Sequence, residues 1–162
     1  MHKIKILPLF LALVFGLLVV SCGSRKSNKM TDSEKELVIA QQYSDVADSY
    51  LRYLNEKNLE GILSLYAENA TVEDPVGSDV ITGKVELRKF YSKAVNMDLV
   101  LTRTGQVRVA GVEIAFPFQL RMNVDGVPMV TDIIDVFRFD EAGKIVSMRA
   151  FWGPFNHKPA NE

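Results

Sequence analysis

The stretch Ile133-Ile134-Asp135-Val136-Phe137-Arg138-Phe139 reads as a β-strand. Side chains alternate across a strand, so Ile133, Asp135, Phe137 and Phe139 share one face. Asp135 is therefore expected to point into an apolar layer. A lone carboxylate there is costly when charged and escapes by holding a proton. A neutral carboxylic acid in an apolar pocket is a hydrogen-bond donor, and so a catalytic tool. At a strand end open to water the same residue would be an ordinary surface acid.

Working outward, a period of two predicts strands at 99–104, 106–110, 112–123, 127–139 and 143–152, with turns at Ala110-Gly111, Asp125-Gly126 and Asp140 to Gly143. Phe116, Phe118, Leu120 and Met122 share one face of the third of these. Val146, Met148, Ala150 and Trp152 share one face of the last. Pro117 interrupts its strand and points to an edge or a bulge.

Before residue 99 the period is helical. Thr31-Asp32-Ser33-Glu34 has capping-box spacing and opens a helix to about Asn55, with Tyr43, Val46, Ala47, Tyr50, Leu51 and Leu54 inward. Asn58 caps a second helix with Leu59, Ile62, Leu63 and Tyr66 inward. Thr82-Gly83 opens a third with Leu87, Phe90, Tyr91, Ala94 and Val95 inward. Helices first and strands after predict an α+β domain, a curved antiparallel sheet wrapped around three N-terminal helices that leaves a conical pocket.

Three tyrosines, Tyr50, Tyr66 and Tyr91, are expected to face that interior with Asp135. Buried hydroxyls need partners, so these four groups satisfy one another or a ligand, unless each tyrosine sends its hydroxyl to solvent. Asp74, in Thr71-Val72-Glu73-Asp74-Pro75-Val76-Gly77, also reads as a turn residue before proline. Glu73 should point toward water.

The N-terminus reads as a targeting segment. Met1-His2-Lys3-Ile4-Lys5 is basic, Ile6 to Val20 is almost wholly apolar, and Val19-Val20-Ser21 precedes Cys22, the only cysteine. That pattern matches a bacterial lipoprotein signal over 1–21, with Cys22 lipidated and 22–30 a polar tether. The domain is then 31–157, with a short tail at 158–162. The expected location is a bacterial membrane, facing the periplasm or cell exterior. The net charge of −1 gives no sign of a nucleic-acid partner. His157 is the one histidine after the signal, which leaves no His triad and no His-rich metal site.

The runs Tyr50-Leu51-Arg52-Tyr53-Leu54-Asn55, Ala70-Thr71-Val72-Glu73-Asp74-Pro75-Val76-Gly77-Ser78, Arg88-Lys89-Phe90-Tyr91 and Asp135-Val136-Phe137-Arg138-Phe139 resemble bacterial ketosteroid isomerase, within the nuclear transport factor two superfamily. The resemblance spans about residues 46–153, with 24 residues from Tyr50 to Asp74 and 61 from Asp74 to Asp135. It implies the cystatin-like cone fold and isomerisation of a β,γ-unsaturated ketone on a small apolar, steroid-like substrate, with no cofactor. By that match Asp74 is the general base, Tyr50 and protonated Asp135 the oxyanion donors, and Tyr91 and Tyr66 the supporting hydroxyls. Phe118, Met148 and Trp152 fall on apolar pocket positions.

Asp132 departs from the pattern on the opposite sheet face, expected near Arg138, and leaves the family's homodimer open. Two rival readings remain. One is a polyketide cyclase or dehydratase of the same cone; the other is a lipid-anchored binder of an apolar ligand.

Overall fold

The computed structural model describes residues 30–160. The signal, Cys22 and most of the tether lie outside those residues. Helix α1 (Asp32–Asn55) starts at Thr31, whose hydroxyl accepts from Glu34 N while Thr31 N donates to Glu34 Oε2 at 2.7 Å. Its inner face buries Tyr43, Ala47, Tyr50, Leu51 and Leu54. Helix α2 (Leu59–Leu65) is capped by Asn58, which accepts from Gly61 N at 2.8 Å.

Two strands then precede the last helix. Strand β1 covers Tyr66–Glu73 and β2 Ile81–Thr82, followed by α3 (Lys84–Val95). The expectation of three helices before any strand is corrected here, and Tyr66 begins a strand rather than ending a helix. The remaining strands are β3 (Leu99–Arg103), β4 (Arg108–Ala110), β5 (Glu113–Val124), β6 (Val127–Phe139), β7 (Ile145–Phe151) and β8 (His157–Pro159). Residues 157–159 were expected near or in a tail. They pair with Met129–Thr131 of β6, beside the part of β6 that β7 covers.

The sheet runs β2-β1-β7-β6-β5-β3, with β4 on β5 and β8 on β6. It is curved and open, and the helices pack on its inner face. The β1–β7 pair is parallel, so the sheet is mixed rather than purely antiparallel. The β5–β6 hairpin closes through Asp125 and Gly126, both at positive φ (52° and 84°), which is the two-residue turn whose twist suits paired strands.

Phe116 and Phe137 are fully buried and meet edge to face at 5.0 Å. Each such burial contributes about 1.5–3 kcal/mol. A register shift in β7 places Ile145, rather than Val146, in the core beside Met148. Pro117 O accepts from Thr104 N, so its ring nitrogen faces the gap where β3 has ended and β4 has not begun. No ladder donor is missed there. Asp132 accepts from Gln119 Nε2 across the strand pair at 2.9 Å, not from Arg138. Asn55, last in α1, exchanges two hydrogen bonds with the Leu101 backbone (2.8 and 2.9 Å) and ties the helix end to β3.

Candidate active site

A cavity of about 440 Å³ opens between α1, α3 and the inner face of the sheet. Tyr50 of α1, Tyr91 of α3, Asp135 of β6, Asp74 just after β1 and Trp152 just after β7 all reach it. Between them the wall is apolar, with Leu54, Phe90, Phe118, Leu120 and Ile133 among its members.

Asp135 is 1 % exposed, on the same strand face as the buried Ile133, Phe137 and Phe139. Its Oδ1 has no hydrogen-bond partner among the described residues. Burial pushes the carboxyl well above the usual carboxylate range, and the charge of Asp74 pushes it further. An unmade hydrogen bond on a buried polar atom costs about 1–3 kcal/mol. Protonated, the group offers a donor to whatever polar atom enters.

Strand register fixes what lies beside it. Asp135 pairs with Ala150 of β7 on one side and Phe116 of β5 on the other. Glu73 pairs with Arg149, so Asp74 follows next to Ala150, whose carbonyl accepts from Val76 N at 2.8 Å. Asp135 and Asp74 therefore stand two strand spacings apart, about 10 Å, with the methyl of Ala150 between them.

The tyrosines cluster through their rings, with Tyr91 meeting Tyr50 edge-on and lying tilted against Tyr66. The Tyr66 and Tyr91 hydroxyls are 2.5 Å apart, and both side chains are buried. Burial, and then the charge of Asp135, push the Tyr50 hydroxyl well up, with the neighbouring Tyr91 hydroxyl opposing them. The net effect keeps all three phenols neutral. Tyr50 is locked by edge contacts to Phe137 at 5.1 Å and Tyr91 at 6.2 Å. Held in that way, the Tyr50 side chain lines the cavity.

Asp74 is partly buried, and burial raises its carboxyl from the ordinary value against the opposing Trp152 donor. Trp152 Nε1 gives Oδ1 a hydrogen bond of 2.7 Å. Glu73, its neighbour, instead accepts from Gly77 N at 2.8 Å.

Of the expected wall residues, Phe118 and Trp152 line the cavity. Met148 does not: it is 1 % exposed and packs in the core, paired with Val72 and Phe137. Tyr66 supports from behind without lining it. Sequence reading missed Ala150 as the floor and Trp152 as a polar partner; the indole N–H was the available signal for the second. Among the described residues no three metal-ligating side chains cluster.

The family described as SnoaL-like domain matches residues 47–148. This chain belongs to the SnoaL-like family. The domain is 40 % identical to "Steroid Delta-isomerase" of Nocardioides simplex over 93 residues, 57 % of this chain and 75 % of that protein. It is 30 % identical to "Epoxide hydrolase LasB" of Streptomyces lasalocidi over 115 residues, 67 % of this chain but only 40 % of that one. A solved structure of SalBIII, an epoxide hydrolase/cyclase-like enzyme with a role in pyran ring formation in polyether salinomycin, superposes with a TM-score of 0.65 at 29 % identity, covering 80 % of this chain and 99 % of that one. The chain is thus similar both to a steroid isomerase and to proteins named epoxide hydrolase and epoxide hydrolase/cyclase-like enzyme, and the first likeness supports an isomerase-like enzyme.

A cavity with neutral donors at one place and a raised carboxylate at another suits proton transfer on an apolar substrate.

Proposed function

We propose that this SnoaL-like domain is a cofactor-independent isomerase that moves a C=C bond from the β,γ to the α,β position of a ketone on a small, apolar, steroid-like molecule. The observation that carries this reading is the buried, unpartnered carboxyl of Asp135 beside Tyr50, with Asp74 facing the same apolar cavity across Ala150.

The ketone oxygen sits where the Tyr50 and Asp135 hydrogens reach it. Asp74 takes a proton from the carbon between ketone and alkene. The C–H electron pair moves into the dienolate, and negative charge grows on oxygen. Two fixed donors hold that charge, and such preorganised stabilisation is usually the largest catalytic term. Asp74 then returns the same proton to the γ-carbon, leaving the conjugated enone. The apolar walls keep water from exchanging with the proton in transit. Tyr66 and Tyr91 position Tyr50 and touch no substrate.

A second reading follows from the likeness to LasB and SalBIII. Asp135 as acid and Asp74 as base on water would also open an epoxide. It ranks second because two donors, Tyr50 and Asp135, meet an enolate oxygen's need, whereas a protonating acid needs one.

The test is turnover of 5-androstene-3,17-dione by the purified protein, followed by the ultraviolet absorbance of the enone, beside Asp74→Asn. Asp74→Asn is expected to lose at least the roughly 10²–10⁴-fold typical of acid–base groups while still binding a phenolic steroid. Absent turnover in wild type, with hydrolysis of an apolar epoxide, favours the second reading. Ligand binding with neither reaction favours a binding protein.

A further inference from the structure

Helix α3 carries four cations, Lys84, Arg88, Lys89 and Lys93. Three have partners. Lys84 Nζ lies 3.6 Å from Glu68 Oε2, Arg88 Nη2 2.9 Å from Glu60 Oε2, and Lys89 Nζ 2.6 Å from Glu86 Oε1. Among the described residues, Lys93 has no carboxylate within 4.0 Å. It is also the one of the four that lines the cavity.

Its place along the cavity matters. The donor end is set by Asp135, level with Phe116 of β5. Met122 lines the cavity too, six residues further along β5, and it pairs with Leu99 of β3. Six strand residues span about 20 Å before curvature is allowed for. Leu99 follows closely on α3, whose last turn holds Lys93, with Met97 between them in the lining. The wall from one end to the other is apolar. Among the described residues, a cation with no carboxylate within 4.0 Å therefore lines the cavity on the turn of α3 that leads on to Met97, Leu99 and the Met122 end of the wall.

We propose that the substrate is an amphipathic ketone carrying a carboxylate at the end remote from its carbonyl, and that Lys93 binds that carboxylate. The orientation of the ketone rests on the isomerase reading above. A lysine in a last helical turn is also favoured by the helix dipole, and its stem covers apolar surface with the ammonium in water. Those effects act on stability and leave ligand choice untouched. A cation at the mouth of an apolar cavity instead draws in anionic ligands, and the pull weakens with salt.

The experiment measures affinity of the purified full-length protein for two probes: a phenolic steroid with a side-chain carboxylate, and its methyl ester. Wild type, Lys93→Gln and Lys93→Glu are compared at low and high salt. Turnover of the matching β,γ-unsaturated ketones is followed alongside.

Wild type should favour the acid over the ester by about 2–5-fold at low salt, the range of an exposed ion pair. Lys93→Gln should erase the preference, Lys93→Glu should invert it, and salt should shrink it in wild type. An unchanged preference in Lys93→Gln, or none in wild type, overturns the proposal. Loss of thermal stability in Lys93→Gln with the preference intact assigns the residue to the helix end and also overturns it. If neither ketone turns over while the preference and its loss in Lys93→Gln persist, the isomerase reading fails and the anion site stands.

Discussion

Trp152 Nε1 donates to Asp74 Oδ1 at 2.7 Å, so the aromatic side chain on the cavity wall also holds the carboxylate that faces it. The hydrogen bond draws the Asp74 carboxyl down against the upward push of burial. Trp152→Phe keeps the ring and removes the donor. The Asp74 carboxyl then rises further, and a base must be deprotonated to act. The acid limb of kcat/KM against pH is expected to move to higher pH in Trp152→Phe. An unmoved limb would show that Asp74 does not limit the rate as a base.

Ala150 lies between the two carboxyls, and its smallness keeps the floor open. Ala150→Leu should raise KM and weaken phenolic-steroid binding while the fold persists, because the added methylenes point into the cavity rather than the packed core. Calorimetric binding and a melting curve separate the two effects. Undiminished affinity would mean that ligand does not lie across Ala150.

Asp135 also governs stability against pH. Its folded carboxyl is raised well above the usual range, so folding takes up a proton at neutral pH that the unfolded chain has released. Stability from this group is full below the unfolded value of about 3.9 and declines as pH rises toward the folded value. Asp135→Asn pays no such penalty. It should be more stable than wild type at neutral pH, by a margin that grows with pH and vanishes in acid. Urea denaturation at several pH values measures the margin, and a margin that does not change with pH contradicts a protonated Asp135.

Cys22 lies outside the described residues, and its lipidation is proposed from the basic start, the apolar run and the small residues before it. Cys22→Ser should release the protein from membranes or leave its precursor unprocessed. Identical fractionation of wild type and variant, with no lipid mass difference, would remove the anchor from the account.

Sequence reading reached the helices, the long strands and the inward face of Asp135 because each follows a clean period. From Thr131 to Phe139 strand β6 alternates across Asp135, so one face could be read directly. Tyr66 misled for the same reason. It stands four residues after Ile62, so helical spacing continues past the point where the helix ends. Strand β1 was hidden because a register shift between Tyr66 and Thr71 breaks its alternation. Its parallel pairing with β7 joins segments far apart in sequence, and no local signal reports that. Met148 was expected on the cavity wall from the family resemblance, and alternation along β7 could not correct that, because alternation tells inward from outward and not cavity from core. Trp152 was expected as an apolar wall residue from the same resemblance; only the position of Asp74 shows where its N–H goes.

The central claim is that Asp135 works as a neutral donor to an oxyanion, and the turnover numbers of Asp135→Asn and Asp135→Ala test it most directly. Asn keeps a donor of similar size and should retain much of the activity. Ala removes the donor and should cost about 10²–10³-fold, the usual loss of one oxyanion-hole donor. If Asn proves as damaging as Ala, Asp135 acts through its charge as a carboxylate, and the account of this site is wrong.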